Sequence, residues 1–277
     1  MDTPLHPPLA VQQPQRVARL PESMPGGVLY QAKLDGWRML AFVDADGVTL
    51  QARSERIVTY RFPEILPGLA SLPAGTVLDG EAVAIRDGVF DFHALATPPR
   101  GRAVAGVTVS FAAFDLLARQ GRDIRSLPLA ERWEQLRATL EGAPPQLQAV
   151  LSTRDRAEAE SWLEALADIG VEGVVAKDLG SPYRAGRGNG WVKVRHAETE
   201  DADLVGLVGP ADHPTALRVR MPDGREAVTV NVDQRRLQQV FQAVSKAGGP
   251  VQVEVRVSGA GGSHERIEYV RVRPPEA

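Results

Sequence analysis

Apolar residues along this chain come in short runs that are cut by glycine-containing turns, the rhythm of many short strands. Val28, Leu29 and Tyr30 precede the segment KLDGWR, and Met39 to Val43 follow it, so one strand is expected to end near Lys33 and another to start near Trp37. Residues 37–44 and 48–53 read as a hairpin around Asp46-Gly47, and 76–85 and 88–92 as a second hairpin around Asp87-Gly88. In LDGEAVAI two acids and a glycine interrupt strand formers, which marks a bulge or a close approach of backbone or ligand. Residues 107–118 are nearly all apolar and predict a strand buried on both faces.

Helical spacing follows at 129–140, which stops before Gly142, and at 156–169, where Thr153 is expected to cap the start and Gly170 the end. Then come a β-branched strand at 171–178, a glycine- and arginine-rich loop, and a strand at 191–195 whose alternation puts Lys193 and Arg195 on one face. The polar stretch ETEDAD reads as a link between domains. Beyond it, strands at 204–208, 216–221, 227–232, 251–257 and 266–273 with one helix at 234–246 suggest a small barrel of the oligonucleotide-binding type. The expected division is a proline-rich arm over residues 1–14 running across the surface, a first domain over 15–198, and the barrel over 199–277.

Composition narrows this picture without redirecting it. The 277 residues contain no cysteine, so disulfides and thiolate metal sites are excluded, in keeping with a reducing cytoplasmic setting. The first residues have neither the basic segment nor the apolar core of a signal peptide, and no apolar run reaches the ~20 residues of a membrane span. Net charge is −3, and residues 199–277 hold 10 basic against 11 acidic residues, so neither part is globally basic. Contact with nucleic acid therefore has to come from a local patch.

The chemistry concentrates around Lys33. A lysine amine is protonated near neutrality, with an unperturbed pKa of about 10.4. A nucleophilic lysine needs neighbouring cations and partial desolvation to free its lone pair. Gly36 allows a tight turn beside a ligand, and Arg38 offers a planar fork to phosphate or ribose oxygens. Glu81, in the interrupted strand, is a candidate metal or ribose contact.

Taken in order, KLDGWR, RSERIVTYRFPEI, LDGEAVAI, FAAFDLLA, VEGVVAKD and SPYRAGRGNGWVKVR resemble the motifs of covalent nucleotidyltransferases, and specifically those of compact bacterial ATP-dependent DNA ligases. The resemblance spans residues 28 to about 198. It implies an α+β fold, a nucleotidyltransferase (adenylation) domain of antiparallel sheets and helices followed by an OB-fold barrel. It also implies ATP and Mg2+ as cofactors and nicked or broken duplex DNA as partner. The resemblance further implies a monomer that acts in the bacterial cytoplasm beside repair proteins, with no membrane contact.

By that resemblance Lys33 is the nucleophile that carries AMP, with Asp35 supporting it and Arg38 binding ribose or phosphate. Glu81 binds ribose or metal, Phe114 stacks on adenine, and Glu172 holds magnesium. Lys193 and Arg195 neutralise the α-phosphate, and Arg53 contacts the 5′-phosphate at the nick. With neither part net basic, DNA affinity is expected to rest on a few phosphate contacts at Arg53, Arg184 and Arg187. Three positions depart from the pattern. Gln31 stands where many relatives carry a glutamate facing the adenine amine, Arg195 replaces a lysine, and RVRPPEA lacks the aspartate-lysine pair of the closing barrel motif. An RNA ligase, a capping-type enzyme using GTP, and a non-catalytic scaffold that binds nucleic-acid ends are the alternatives.

Overall fold

Seventeen strands and five α-helices are laid out in the computed structural model, which describes residues 3–166, 169, 171–195, 198–210, 213–246, 250–258 and 266–272. The chain divides into two compact units, residues 1–196 and 197–277.

Two sheets build the first unit. One runs in the order Gln12–Arg16, Gly186–Arg195, Val171–Asp178, Val28–Leu34 and Ser152–Thr153. The other runs Gly47–Ala52, Trp37–Asp44, Thr76–Arg86, Thr108–Arg119 and Arg122–Asp123. Pairing is antiparallel except where Gln12–Arg16 joins Gly186–Arg195 and where Leu147–Ala149 joins Thr108–Arg119. Val28–Leu34 and Trp37–Asp44 are consecutive yet lie in different sheets, so Asp35 and Gly36 cross between them. Gly36 is required there because a Cβ would stand 2.3 Å from the Ala82 carbonyl oxygen. The crowding is with neighbouring backbone, where a tight turn beside a ligand was expected. A shared core holds both sheets, with Leu29, Tyr30 and Val174 from the first and Met39, Leu78 and Phe111 from the second.

Both hairpins form. Trp37–Asp44 and Gly47–Ala52 turn through Ala45-Asp46, one residue earlier than the Asp46-Gly47 reading, because Gly47 pairs with Asp44 as the first strand residue. Asp87 and Gly88 both take positive φ, the conformation of a two-residue hairpin loop. The interrupted strand is bulged against Thr108–Arg119 between Asp79 and Gly80, where a Cβ on Gly80 would lie 2.4 Å from the Phe111 ring. Thr108–Arg119 is buried on both faces only from Asp115 to Ala118, since its first half alternates.

Leu129–Thr139 is helical as its spacing predicts. The next helix is Arg156–Ala165, and its cap is Asp155, whose carboxylate accepts from the Ala157 and Glu158 amides, in place of the expected Thr153. Thr153 sits two residues back and accepts from the Asp155 amide at 3.0 Å. Gly170 lies outside the described residues.

The proline-rich arm does more than cross the surface. Leu5 and Val11 are buried against Leu40, Phe42 and Tyr183, and the Gln51 amide exchanges two 2.8 Å hydrogen bonds with the backbone of Leu9.

In the second unit one antiparallel sheet runs in the order Glu226–Val228, Ala216–Arg220, Glu198–Val208, Gln252–Ser258 and Arg266–Val272. The acidic stretch expected to be a link is the start of a strand, with Glu198 to Asp203 paired to Val257 to Gln252. Aspartate and glutamate are poor strand formers, and ladder hydrogen bonds overrule that preference here. The Val230 amide donates to the Ile267 carbonyl at 2.7 Å, which brings the chain just beyond one edge strand to the other edge. The helix Gln234–Lys246 buries Leu237 and Val240 in this unit's own core.

Candidate active site

A cleft of about 830 Å³ opens in the first unit, lined by residues of both sheets. Strand periodicity fills it. Lys33 and Gln31 face it from Val28–Leu34, Val175 and Lys177 from Val171–Asp178, and Trp191 and Lys193 from Gly186–Arg195. Cross-strand register aligns them in rows, with Lys33 opposite Gly173, Gln31 opposite Val175, and Val175 opposite Lys193.

Lys33 sits at the end of its strand, and its Nζ is paired with the carboxylate of Glu172 on the neighbouring strand. Both side chains are about one-fifth exposed, so the pair faces the cleft and is not sealed in the core. Asp35 and Glu81 line the same end. Burial pushes the Glu81 carboxyl up to about 8, against the pull of Lys33 and Arg38. Near neutral pH this group therefore holds its proton and can both donate and accept a hydrogen bond.

Arg38 turns out to be committed to the protein. Its Nε and Nη2 clamp Asp79 at 3.0 and 2.6 Å, and the Tyr183 hydroxyl donates to the same carboxylate at 2.7 Å. Its guanidinium also lies 5.2 Å from the centroid of Phe114 and 5.7 Å from that of Trp191. Two of its donor nitrogens are thus taken up in orienting the cleft wall, leaving a smaller share for phosphate or ribose than the bare motif suggests.

The far end is aromatic. Phe114 and Trp191 meet edge to face, with centroids 6.1 Å apart. Gln31 is 2% exposed; its Nε2 donates to the Phe114 carbonyl at 3.4 Å, while its Oε1 is buried without a partner. Lys177 is 1% exposed, and its Nζ donates to the same Phe114 carbonyl at 3.0 Å. Burial pulls the Lys177 ammonium down to about 7, partly offset by the carboxylates of Asp115 and Asp79. Two donors therefore converge on the Phe114 carbonyl, and the Gln31 amide oxygen is left without a partner.

Arg53 and Arg187 are exposed at the rim. Arg184 is exposed but is not among the residues that line the cleft. The backbone of Arg195 pairs with Gly173, and its side chain lies outside those described. The tail arginine Arg273 lies outside the described residues too.

Lys177, Trp191 and the strand Gln12–Arg16 were missing from the sequence-derived site. Period-two alternation carried a signal for the first two, since Lys177 lies two residues from Val175 and Trp191 two from Lys193. Nothing local marked Gln12–Arg16, because its partner strand is some 170 residues away.

Residues 7–195 match the family model described as ATP dependent DNA ligase domain. A probable DNA ligase of Beutenbergia cavernae is 39% identical over 204 residues, which cover 70% of this chain and 39% of that protein. DNA ligase C2 of Mycolicibacterium smegmatis is 34% identical over 213 residues, 74% of this chain and 59% of the relative. The chain thus spans two-fifths to three-fifths of the length of these relatives. Among solved structures, the ligase domain of LigD from M. tuberculosis is 25% identical with a TM-score of 0.63, covering 97% of this chain and 96% of that one. The bacteriophage T7 ATP-dependent DNA ligase, 17% identical with a TM-score of 0.54, shares the fold.

Proposed function

Because the chain belongs to the ATP-dependent DNA ligase domain family, we propose that it seals 5′-phosphate/3′-hydroxyl breaks in duplex DNA through a lysyl-AMP intermediate. The observation that carries this reading is Lys33. It stands at a strand end beside Glu172, in a cleft also lined by Phe114, Trp191 and Gln31, whose amide oxygen is buried and unpartnered.

Lys33 attacks the α-phosphate of ATP and forms a P–N bond as pyrophosphate leaves; AMP then passes to a DNA 5′-phosphate, and the 3′-hydroxyl displaces it. Lys193 and Arg195 neutralise charge on the α-phosphate, which is where catalysis of phosphoryl transfer mostly resides. At the base end the Gln31 amide oxygen accepts from the adenine amine, the Lys177 ammonium donates to the neighbouring ring nitrogen, and Phe114 packs against the ring. The protonated Glu81 carboxyl suits a ribose hydroxyl. Arg38, held by Asp79 and Tyr183, stiffens the wall behind Phe114.

Magnesium fits the donor set. Glu172 and Glu81 are both oxygen ligands on the cleft, and among the described residues no three metal-binding side chains gather. That suits an ion held by one or two carboxylates plus substrate phosphates. Glu172 would hold it first; Glu81 would come second, only once a bound cation displaces its proton; when bound, the ion offsets the charge of the phosphates.

We read the second unit as an OB-type barrel. Its strand order and the Val230–Ile267 bond support a five-stranded Greek-key barrel with a helix between its third and fourth strands. Arg53 and Arg187 at the cleft rim are the DNA-phosphate contacts, with Arg184 further out.

Intact-mass measurement after incubation with ATP and magnesium tests the reading. One AMP should be added, and peptide mapping should place it on Lys33. Lys33→Ala should abolish the adduct yet still close a nick that already carries 5′-AMP. No adduct on the wild-type chain, or an adduct on Lys177 or Lys193, would refute it.

A further inference from the structure

The strand Gln12–Arg16 brings one more cation to the cleft. Arg16 pairs in parallel register with Lys193, so the two side chains stand side by side on one face, and both line the cleft. The Arg16 guanidinium is exposed and has no ion-pair or hydrogen-bond partner among the described residues. The backbone beneath it is firmly held. The Val17 amide donates to the Lys193 carbonyl at 3.0 Å, the Gln12 amide to the Tyr183 hydroxyl at 3.1 Å, and the Arg184 amide to the Gln12 side chain at 2.9 Å. Gln12 itself is fully buried. An anchored strand that ends in an unpaired arginine on a cleft wall is a preorganised anion contact.

Strand order says which anion. Across the sheet the sequence is Arg16, Lys193, Val175, Gln31, three strand spacings or about 14 Å. Lys33 is two residues beyond Gln31 on the last of these strands. In phosphoryl transfer the attacking and leaving atoms lie roughly in line through phosphorus. With the amine on one strand, a leaving group that extends away from it across the sheet meets first Lys193 and then Arg16.

We propose that Arg16 is the outer cation of a polyphosphate subsite, holding the β- and γ-phosphates of the nucleotide and the pyrophosphate they become. This rests on reading the cleft as an adenylating site. As the P–N bond to Lys33 forms, the bond from the α-phosphorus to the bridging oxygen breaks. Its electron pair leaves on pyrophosphate beside Arg16, and the proton shed by the amine passes to solvent.

Calorimetric titration of inorganic pyrophosphate into the full chain and into Arg16→Gln tests the subsite. Arg16→Gln should weaken pyrophosphate binding about tenfold, the usual worth of a charge-assisted contact. It should also slow pyrophosphate-driven removal of AMP from the adenylated protein by a similar factor, and Arg16→Lys should recover part of both. Equal or undetectable binding in the two proteins overturns the proposal. So does a loss confined to affinity for nicked duplex, which would assign Arg16 to DNA phosphates. A wild-type chain that binds pyrophosphate through Arg16 but never takes up AMP would sink the ligase reading and leave the subsite standing.

Discussion

Lys177 places its Nζ 3.7 Å from the centroid of the Trp191 ring, and burial holds that ammonium near a pKa of 7. In the unfolded chain the same amine keeps its proton up to its ordinary 10.5. Between those values the unfolded chain binds more protons, so this residue makes stability rise with pH there. Below pH 7 both states are charged and the burial penalty is fully present; above 10.5 it is gone. Lys177→Met keeps the shape and removes the charge. Its gain in melting temperature over wild type should be largest below pH 7 and shrink towards pH 10.5. A difference that ignores pH would mean that folding leaves the titration of Lys177 unchanged.

On the proposed reading, the buried Oε1 of Gln31 should set a preference between bases. An adenine amine can donate to it, whereas guanine presents a carbonyl at the same ring position, and two acceptors would face each other. A site built to pair a donor rejects an analogue that lacks one. Gln31→Leu should raise the ATP concentration needed for half-maximal self-adenylation by about tenfold, at ~1.4 kcal/mol per decade, and leave labelling by GTP little changed. Intact mass with each nucleotide reads both. Equal loss for ATP and GTP would show that Gln31 only packs.

Much of this site was legible in the sequence because its residues sit in local patterns. Lys33 and Lys193 each lie on a short strand whose period-two alternation fixes the face, and strand order then brings those faces together, whereas Glu172, out of step with Val175 and Lys177, reaches the cleft where the register shifts between Val171 and Gly173. What escaped depends on long-range pairing. The Asp79 clamp on Arg38 needs two strands in register, and Tyr183 joins it from a residue 104 positions away. The arm was misjudged because prolines and glutamines look like surface chain, whereas its hydrogen bonds go to a distant strand. The stretch from Glu198 to Asp203 was misjudged because its acids hide a ladder.

The glycine in LDGEAVAI was read as a bulge or a close approach, and both descriptions fit. The Phe111 ring occupies the space where a Gly80 Cβ would lie, at 2.4 Å, with the Ala112 carbonyl oxygen at 2.8 Å. A buried ring and a ladder carbonyl have little room to move in a close-packed core. Gly80→Ala should therefore destabilise the first unit by about 1–3 kcal/mol, seen as a lower denaturant midpoint with an unchanged slope. A midpoint equal to wild type would mean that the strand shifts freely at the bulge and that Glu81 next to it is less firmly placed than described.

DNA affinity should be salt-sensitive and modest, because the chain carries no global excess of positive charge. Arg53 and Arg187 sit exposed on the cleft rim, and the Arg53 amide donates to the Arg38 carbonyl at 3.2 Å, which ties the rim to the strand behind the cleft. Each phosphate contact contributes roughly 0.9 to the slope of log affinity against log salt on duplex DNA. Two or three such contacts give a slope of roughly 2–3, against far steeper values for proteins that wrap duplex. Arg53→Ala and Arg187→Ala should each lower that slope by about 0.9 and weaken nicked-duplex binding at every salt concentration. Arg184→Ala should do less, since Arg184 is exposed away from the cleft lining. Fluorescence anisotropy on a nicked duplex over a salt series measures all three. If Arg184→Ala changes the slope and Arg53→Ala does not, the duplex passes over Arg184 and not over the cleft rim, and the assignment of Arg53 as a DNA-phosphate contact fails.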